Sequence, residues 1–381
     1  MNEKIKQYVK ENEQELYDLL KALCLIPAPS GKEDERAEFC YKWLKGIGAE
    51  SAYIDEAKNV VFPFKCENSN EISVFVAHTD TVFPDLLPMP YVEDNGIIRS
   101  PSVCDDTASL VVLLLCAKFA IENDSLFSSP ILFVCNSCEE GLGNLKGTKK
   151  IFSDYGGRIS QFISFDSLFG KISTRCVGSH RYELKVMTEG GHSYQAFGNK
   201  NAIAELSKIV NEIYKIEIPQ REGSKSSYNV GIISGGTSVN TIAQDAEMLC
   251  EYRSNDVECL SFLKQKFEGI FENARKDGVR LEVKLIGERP CMKDADEKKI
   301  EKMFLKCKKI TEDVIGREVI ATSSSTDCNI PLSLGIPAIC IAVCEGGGIH
   351  TREEWLVKSS LPDGLLVGIK AIFALLEEQA K

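Results

Sequence analysis

Residues 73–80 read Ser-Val-Phe-Val-Ala-His-Thr-Asp. Ser73 to Ala77 is a nearly continuous apolar run of strand length, and His78 and Asp80 arrive as soon as it ends. A strand apolar on both faces belongs in a mainly parallel sheet covered by helices. The same order recurs three times. Ile131 to Cys135 leads to Glu139-Glu140, Phe162 to Phe165 to Asp166, and Ala338 to Val343 to Glu345-Gly-Gly-Gly-Ile-His350. Ligands of open α/β sheets gather at the carboxyl ends of the strands. Four strands thus deliver His, Asp and Glu side chains to one edge, which a random scatter of surface acids would not do.

Before the first of these runs, helical patterns cover Asn2 to Cys24 and Lys32 to Ile47, parted by the turn Ile26-Pro-Ala-Pro-Ser-Gly31. The middle of the chain differs. Arg181 to Lys185 and Glu247 to Arg253 partly alternate polar and apolar residues, as in sheets with one exposed face, and Asn201 to Tyr214 between them is helical. The expected fold is α/β, with a mainly parallel sheet in a discontinuous domain of residues 1–178 plus 289–381. Residues 179–288 form a smaller inserted α/β domain. A chain of 381 residues accommodates two such domains.

Composition narrows the function. With 44% hydrophobic and 27% charged residues the chain reads as globular, and a net charge of −11 argues against a nucleic-acid partner. The charged segment Met1 to Gln14 has no apolar signal core, and the longest apolar stretch, from Leu110, is broken by Lys118. A cytoplasmic protein without a membrane segment is expected. The fifteen cysteines are scattered, and Cys116, Cys135, Cys250 and Cys340 sit in apolar runs where a thiol acts as a small hydrophobe. No disulfide framework is expected, and the lone pair Cys135-x-x-Cys138 reads as structural.

Each chemical motif has a bland alternative. His78-x-Asp80 could place a carboxylate on a ligating histidine's second nitrogen, or be a capped loop. In Cys104-Asp105-Asp106, Asp106 could cap the apolar helix Ala108 to Ala120, whereas Asp105 suits a carboxylate bridging two metals. Glu139-Glu140 is the most telling pair: adjacent acids near a buried edge repel, and a two-metal site resolves this with one acid on a metal and one as general base. Of the four histidines, His350 lies after Gly346-Gly-Gly348, which allows close backbone packing; His192 follows Gly190-Gly191, and His180 is given no role.

The motifs Ala77-His-Thr-Asp80, Cys-Asp105-Asp, Glu139-Glu-Gly-Leu-Gly143, Gly190-Gly-His-Ser193, Gly235-Gly-Thr-Ser-Val-Asn240 and Gly348-Ile-His-Thr351 follow one another in a known order. From about Leu20 to the last helix, the chain resembles the dinuclear zinc exopeptidases and deacylases that include peptidase T, aminoacylase and succinyl-diaminopimelate desuccinylase, and feels nearest to peptidase T-like members. The resemblance implies two zinc ions, with cobalt or manganese able to serve the same geometry. It implies that Asp105 bridges them, with His78 and Asp166 completing one site and Glu140 and His350 the other. Asp80 would orient His78, and Glu139 would be the general base. His192, Asn240 and Arg253 would hold substrate from the inserted domain, which would act as a lid and mediate a homodimer.

The chain departs from the pattern at Cys104, where Gly or Ala is usual, at Ser109 in place of a Gly, and at Glu251, where Asp often precedes the lid arginine. Asp166 rather than Glu is usual in members resembling aminopeptidases, so the expected substrate is a short peptide with a free amino end. An N-acyl amino acid, or a carboxypeptidase substrate held by its carboxylate at Arg253, is the alternative. A non-catalytic metal-binding relative and a cysteine redox protein are more distant ones.

Overall fold

A computed structural model describes residues 2–376. The chain divides into two compact units, Met1–Cys176 with Asp294–Lys381, and Val177–Lys293. In chain order the principal strands are β1 (Tyr53–Ile54), β2 (Val60–Phe64), β3 (Ile72–His78), β4 (Ile131–Asn136), β5 (Ile159–Phe165), β6 (Lys171–Cys176), β7 (Gly178–Met187), β8 (Ser226–Gly235), β9 (Asp245–Ser254), β10 (Arg280–Arg289), β11 (Ile320–Ser324) and β12 (Ala338–Ile341).

The first unit is built on an eight-stranded sheet, β1-β2-β4-β3-β5-β12-β6-β11. Its central strands β4, β3, β5 and β12 pair in parallel, while β1 and β2 on one side and β12 against β6 on the other add antiparallel pairs. The expected α/β class and mainly parallel sheet are therefore present. Every residue of β3 is buried, as are those of β4 and β12, because helices cover both faces. Register then aligns the carboxyl ends. His78 lies opposite Asn136, Val76 opposite Ser164, and Phe165 opposite Ile341.

The helix Ser109–Glu122 is apolar almost all round and correspondingly buried, so its position against β3 is set by hydrophobic burial rather than by an amphipathic stripe. Glu297–Ile315 is amphipathic. It buries Ile300, Met303, Cys307 and Thr311, starts where Asp296 accepts from the Lys299 N–H, and stops at Gly316 in the left-handed region at φ 69°. The opening helix expected over Asn2 to Cys24 is instead two helices, Asn2–Glu11 and Glu13–Cys24. The break falls at Asn12, whose backbone leaves the helical region at φ −104° and ψ 9°, while its N–H and its side-chain amide both donate to the Tyr8 carbonyl and its Oδ1 receives Lys118. Among the described residues no helix is long and apolar enough to cross a membrane.

The second unit is a four-stranded antiparallel sheet, β8-β9-β7-β10, with helices Ala202–Ile213 and Val257–Lys276 on one face. Alternate residues of β9, including Met248, Cys250 and Tyr252, face a core that also holds Leu184, Leu206, Ile209, Leu263 and Phe267. Asn201 and Asp256 cap the two helices by accepting their first amides.

The helix Ser360–Leu376 packs close to the chain leaving β12, and a Cβ at Gly364 would collide with the Val343 carbonyl oxygen. Ala is the better helix former by about 1 kcal/mol, yet here overpacking dominates, at about 1–3 kcal/mol. Gly364→Ala should lower the urea midpoint of the folded protein; an unchanged or raised midpoint would show that the contact yields freely.

Candidate metal centre

The aligned strand ends place the expected residues together. His78 closes β3, Glu139 and Glu140 follow β4, Asp166 follows β5, and His350 lies in the loop after β12. Asp105 arrives from the irregular turn Val103–Ala108 that precedes the buried helix. Its Oδ1 is 2.9 Å from His78 Nε2 and its Oδ2 is 3.0 Å from His350 Nε2, which also lies 3.1 Å from Glu140 Oε1. One carboxylate thus carries a histidine on each oxygen.

Among the described residues, three groups offer ligand atoms within 4.8 Å of one another: His78, Asp105 and Asp166; Asp105, Glu140 and His350; and His78, Glu139 and Glu140. Two ligand atoms ~2.0–2.1 Å from one tetrahedral ion stand ~3.3 Å apart. The observed separations of 2.9 to 3.1 Å are close to that spacing. The donor set, imidazole with carboxylate, also suits a divalent transition metal.

The electrostatics point the same way. Burial, then the Asp105 charge, pushes Glu140 up to about 7. Burial followed by Asp105 raises Asp166 well above the carboxylate range. Burial opposes the charged form of His78, but Asp106, Asp105 and Asp80 hold its imidazole well above its ordinary value. His350 is raised to about 10 by hydrogen bonds to Asp105 and Glu140. A buried edge with this excess of carboxylates is short of positive charge, and a cation placed among them supplies it.

Asp80 is fully buried. His78 Nδ1 lies 3.0 Å from the Asp80 backbone carbonyl and 3.4 Å from its carboxylate. The carboxylate itself accepts the Glu139 and Glu140 backbone N–H groups at 2.9 and 2.8 Å, and the Ser30 hydroxyl at 2.5 Å. It therefore fixes the corner that presents both glutamates. Asp106 does not cap the helix, contrary to that reading of the motif. The helix starts at Ser109, and Asp106 Oδ2 accepts the His78 backbone N–H at 2.9 Å, because the turn carries the side chain back toward β3.

His192, Asn240 and Arg253 lie in the second unit. His192 and Asn240 are neighbours, both exposed, with Ser193 N–H donating to the Asn240 carbonyl at 2.9 Å. Arg253 is not with them. It lies on β9 with Nε and an Nη on the two Glu251 oxygens at 2.7 and 3.0 Å. His180 meets Glu288 at 3.1 Å and packs edge-on to Tyr252.

The cysteines are buried and unbridged. Cys104 belongs to none of the three groups among the described residues, and its thiol donates to the Trp355 carbonyl. Burial, then the Glu33 charge, pushes Cys138 up to about 12, the reverse of an activated thiol.

Sequence reading missed Ser30, which it placed only in a turn, and Glu354, a fully buried acid within hydrogen-bond reach of the Asp105 backbone. Glu354 stands four residues after His350, but a buried acid and a solvated one look alike in a polar loop.

A fold of this kind with such a centre defines a metal-dependent hydrolase. The chain belongs to peptidase family M20/M25/M40, whose model matches residues 74–378. It is 24% identical to protein YqjE of Bacillus subtilis over 97% of this chain and all of that one. It is 22% identical to a probable carboxypeptidase of Arthroderma benhamiae over 61% of this chain, spanning 56% of that protein. The fold is also that of the aminopeptidase PepT from Bacillus cereus, with a TM-score of 0.73 at 22% identity, covering 97% of this chain and 99% of that one.

Divalent metal bound to the folded state alone stabilises it by mass action, about 2.7 kcal/mol at a hundredfold excess over Kd. The thermal midpoint of chelator-treated protein should therefore rise on adding Zn2+, Co2+ or Mn2+ and fall again with chelator. A midpoint indifferent to all three would count against a metal centre.

Proposed function

We propose that the protein is a dinuclear zinc exopeptidase that hydrolyses amide bonds of short peptides from their amino end, with small di- and tripeptides as substrates. The observation that carries this reading is the Asp105 carboxylate, shared between the His78 and His350 groups at the edge where Glu139 and Glu140 emerge. His78, Asp166 and Asp105 would hold one ion, and Glu140, His350 and Asp105 the second. When bound, the two ions supply Lewis-acid polarisation of the scissile carbonyl and lower the pKa of the attacking water.

The remaining steps belong to the chain's own groups. Glu139, held in place through its backbone N–H by Asp80, accepts the proton of the attacking water and delivers it to the departing amine. His192 stabilises the developing oxyanion, and Asn240 and Arg253 bind the substrate. The inserted unit acts as a lid and pairs with a second copy. Its edge strand β8 carries Ile232 and Ile233 more than half exposed, which suits such an interface.

The second reading is a carboxypeptidase or N-acyl amino acid deacylase. It is favoured by the fungal relatives described as probable carboxypeptidases, and it would seat a substrate carboxylate at Arg253 in place of Glu251. The first experiment offers metal-loaded protein free-amino di- and tripeptides in one arm and N-acetyl or N-succinyl amino acids in the other. Cleavage of peptides alone, with the amino-terminal residue released from tripeptides, supports the aminopeptidase reading; release of the carboxyl-terminal residue, or cleavage of acylated compounds alone, overturns it in favour of the second. Glu139→Gln should keep its metal and lose about two to four orders of magnitude in kcat. Near-full activity in that variant would remove Glu139 from the mechanism. If His192 acts across a dimer, mixed His192→Ala and Glu139→Gln proteins regain part of the activity once subunits exchange; no recovery after proven exchange means each subunit is self-contained.

A further inference from the structure

Glu354 is completely buried and lies on the same loop as His350. Its Oε1 accepts the backbone N–H groups of Cys104 at 2.7 Å and Asp105 at 3.0 Å, and its Oε2 accepts that of Ser102 at 3.2 Å. Further contacts run alongside. The Ser100 N–H donates to the Glu354 carbonyl, the Cys104 thiol donates to the Trp355 carbonyl, and Trp355 pairs with Arg99 in an antiparallel ladder.

The segment receiving this carboxylate organises itself only in part, through Val103 N–H to the Ser100 carbonyl and Thr107 N–H to the Ser102 carbonyl. Ser102 is left-handed at φ 59°, and Asp105 is non-helical at φ −115° and ψ 90°. Its amides therefore lack regular helical acceptors, and leaving them unpaired in a buried setting is costly. A carboxyl group accepting three N–H groups is a strong substitute. Asp80 plays the same part for the Glu139-Glu140 corner.

We propose that Glu354 is a positioning residue that ties the Asp105 turn to the His350 loop and so presets the distance between these two groups for metal binding. This rests on the function proposed above. Asp105 and His350 lie far apart in the chain, and the Glu354 side chain, on the His350 loop, reaches the Asp105 backbone.

The test is isothermal titration of chelator-treated protein with Zn2+, comparing wild type, Glu354→Gln and Glu354→Ala, with circular dichroism confirming that each is folded. Loss of a partner that orients a ligand weakens metal binding by about 10–100-fold. Glu354→Ala should show a loss of that size, and Glu354→Gln, which keeps one accepting oxygen, a smaller one. At saturating metal, kcat should fall more than KM rises. Folded Glu354→Ala with wild-type zinc affinity overturns the inference while leaving the proposed function intact. A wild type that binds no metal sinks the proposed function itself.

Should neither variant fold, amide exchange in the wild type decides. Cys104 and Asp105 amides already protected without metal support a turn preset by Glu354. Amides that exchange freely until metal is added mean that the ion orders the turn, and the inference falls.

Discussion

A carboxylate buried between two imidazoles is the arrangement around which the first unit is built. A buried carboxylate needs compensation to stay ionised, and Asp105 has the imidazoles of His78 and His350 against its two oxygens. Bringing them there takes three separate pieces of chain: the end of β3, the turn before the buried helix and the loop after β12. The compensation is incomplete, because Glu140, Asp166 and Glu139 crowd the same edge and Glu140 is pushed up to about 7 by burial and by Asp105. Deficient positive charge at a solvent-reachable edge is the condition that gives a divalent ion its purchase.

Holding such a cluster open requires more than the residues that face it. The chain uses one device at both corners of the edge: a fully buried acid that accepts backbone N–H groups from an irregular turn. Asp80 grips the corner that carries Glu139 and Glu140, with Ser30 on its second oxygen, and Glu354 grips the turn that carries Asp105. Buried Arg36 works with opposite sign, donating to the carbonyls of Leu23, Ile26 and Thr79 around the start of the His78 loop. Fixed partners of this kind limit rearrangement when charge at the edge changes.

The second unit obeys different rules. One face of its sheet is sealed by two capped helices, and the other carries polar and charged residues. Arg253 is shared with Glu251, and Glu251 also receives Arg181, so in this arrangement the guanidinium already has a carboxylate on it. A substrate carboxylate at Arg253 would have to compete with that pair, which is one physical reason to keep the amino-end and carboxyl-end readings apart.

Much of the fold could be read directly from the amino-acid order. An apolar run such as Ser73 to Ala77 has one stable home, a sheet buried on both faces, and residues after its carboxyl end have one edge on which to meet; that alone grouped His78, Glu139, Glu140, Asp166 and His350. Short-range order also placed the capped helix after Asn201. It failed at Asn12, where the backbone leaves the helical region, and left Asp106 open, which turns back to His78 instead of capping. Glu354, Ser30 and Arg36 were invisible because their partners, backbone groups for Glu354 and Arg36 and the Asp80 carboxylate for Ser30, lie elsewhere in the chain, and a one-dimensional pattern carries hydrophobicity and local spacing but no record of which polar group is left without a partner. Hydrophobic periodicity and strand-end chemistry were settled by sequence; the partners of buried polar groups were settled only when tertiary packing removed water and made each such group find one.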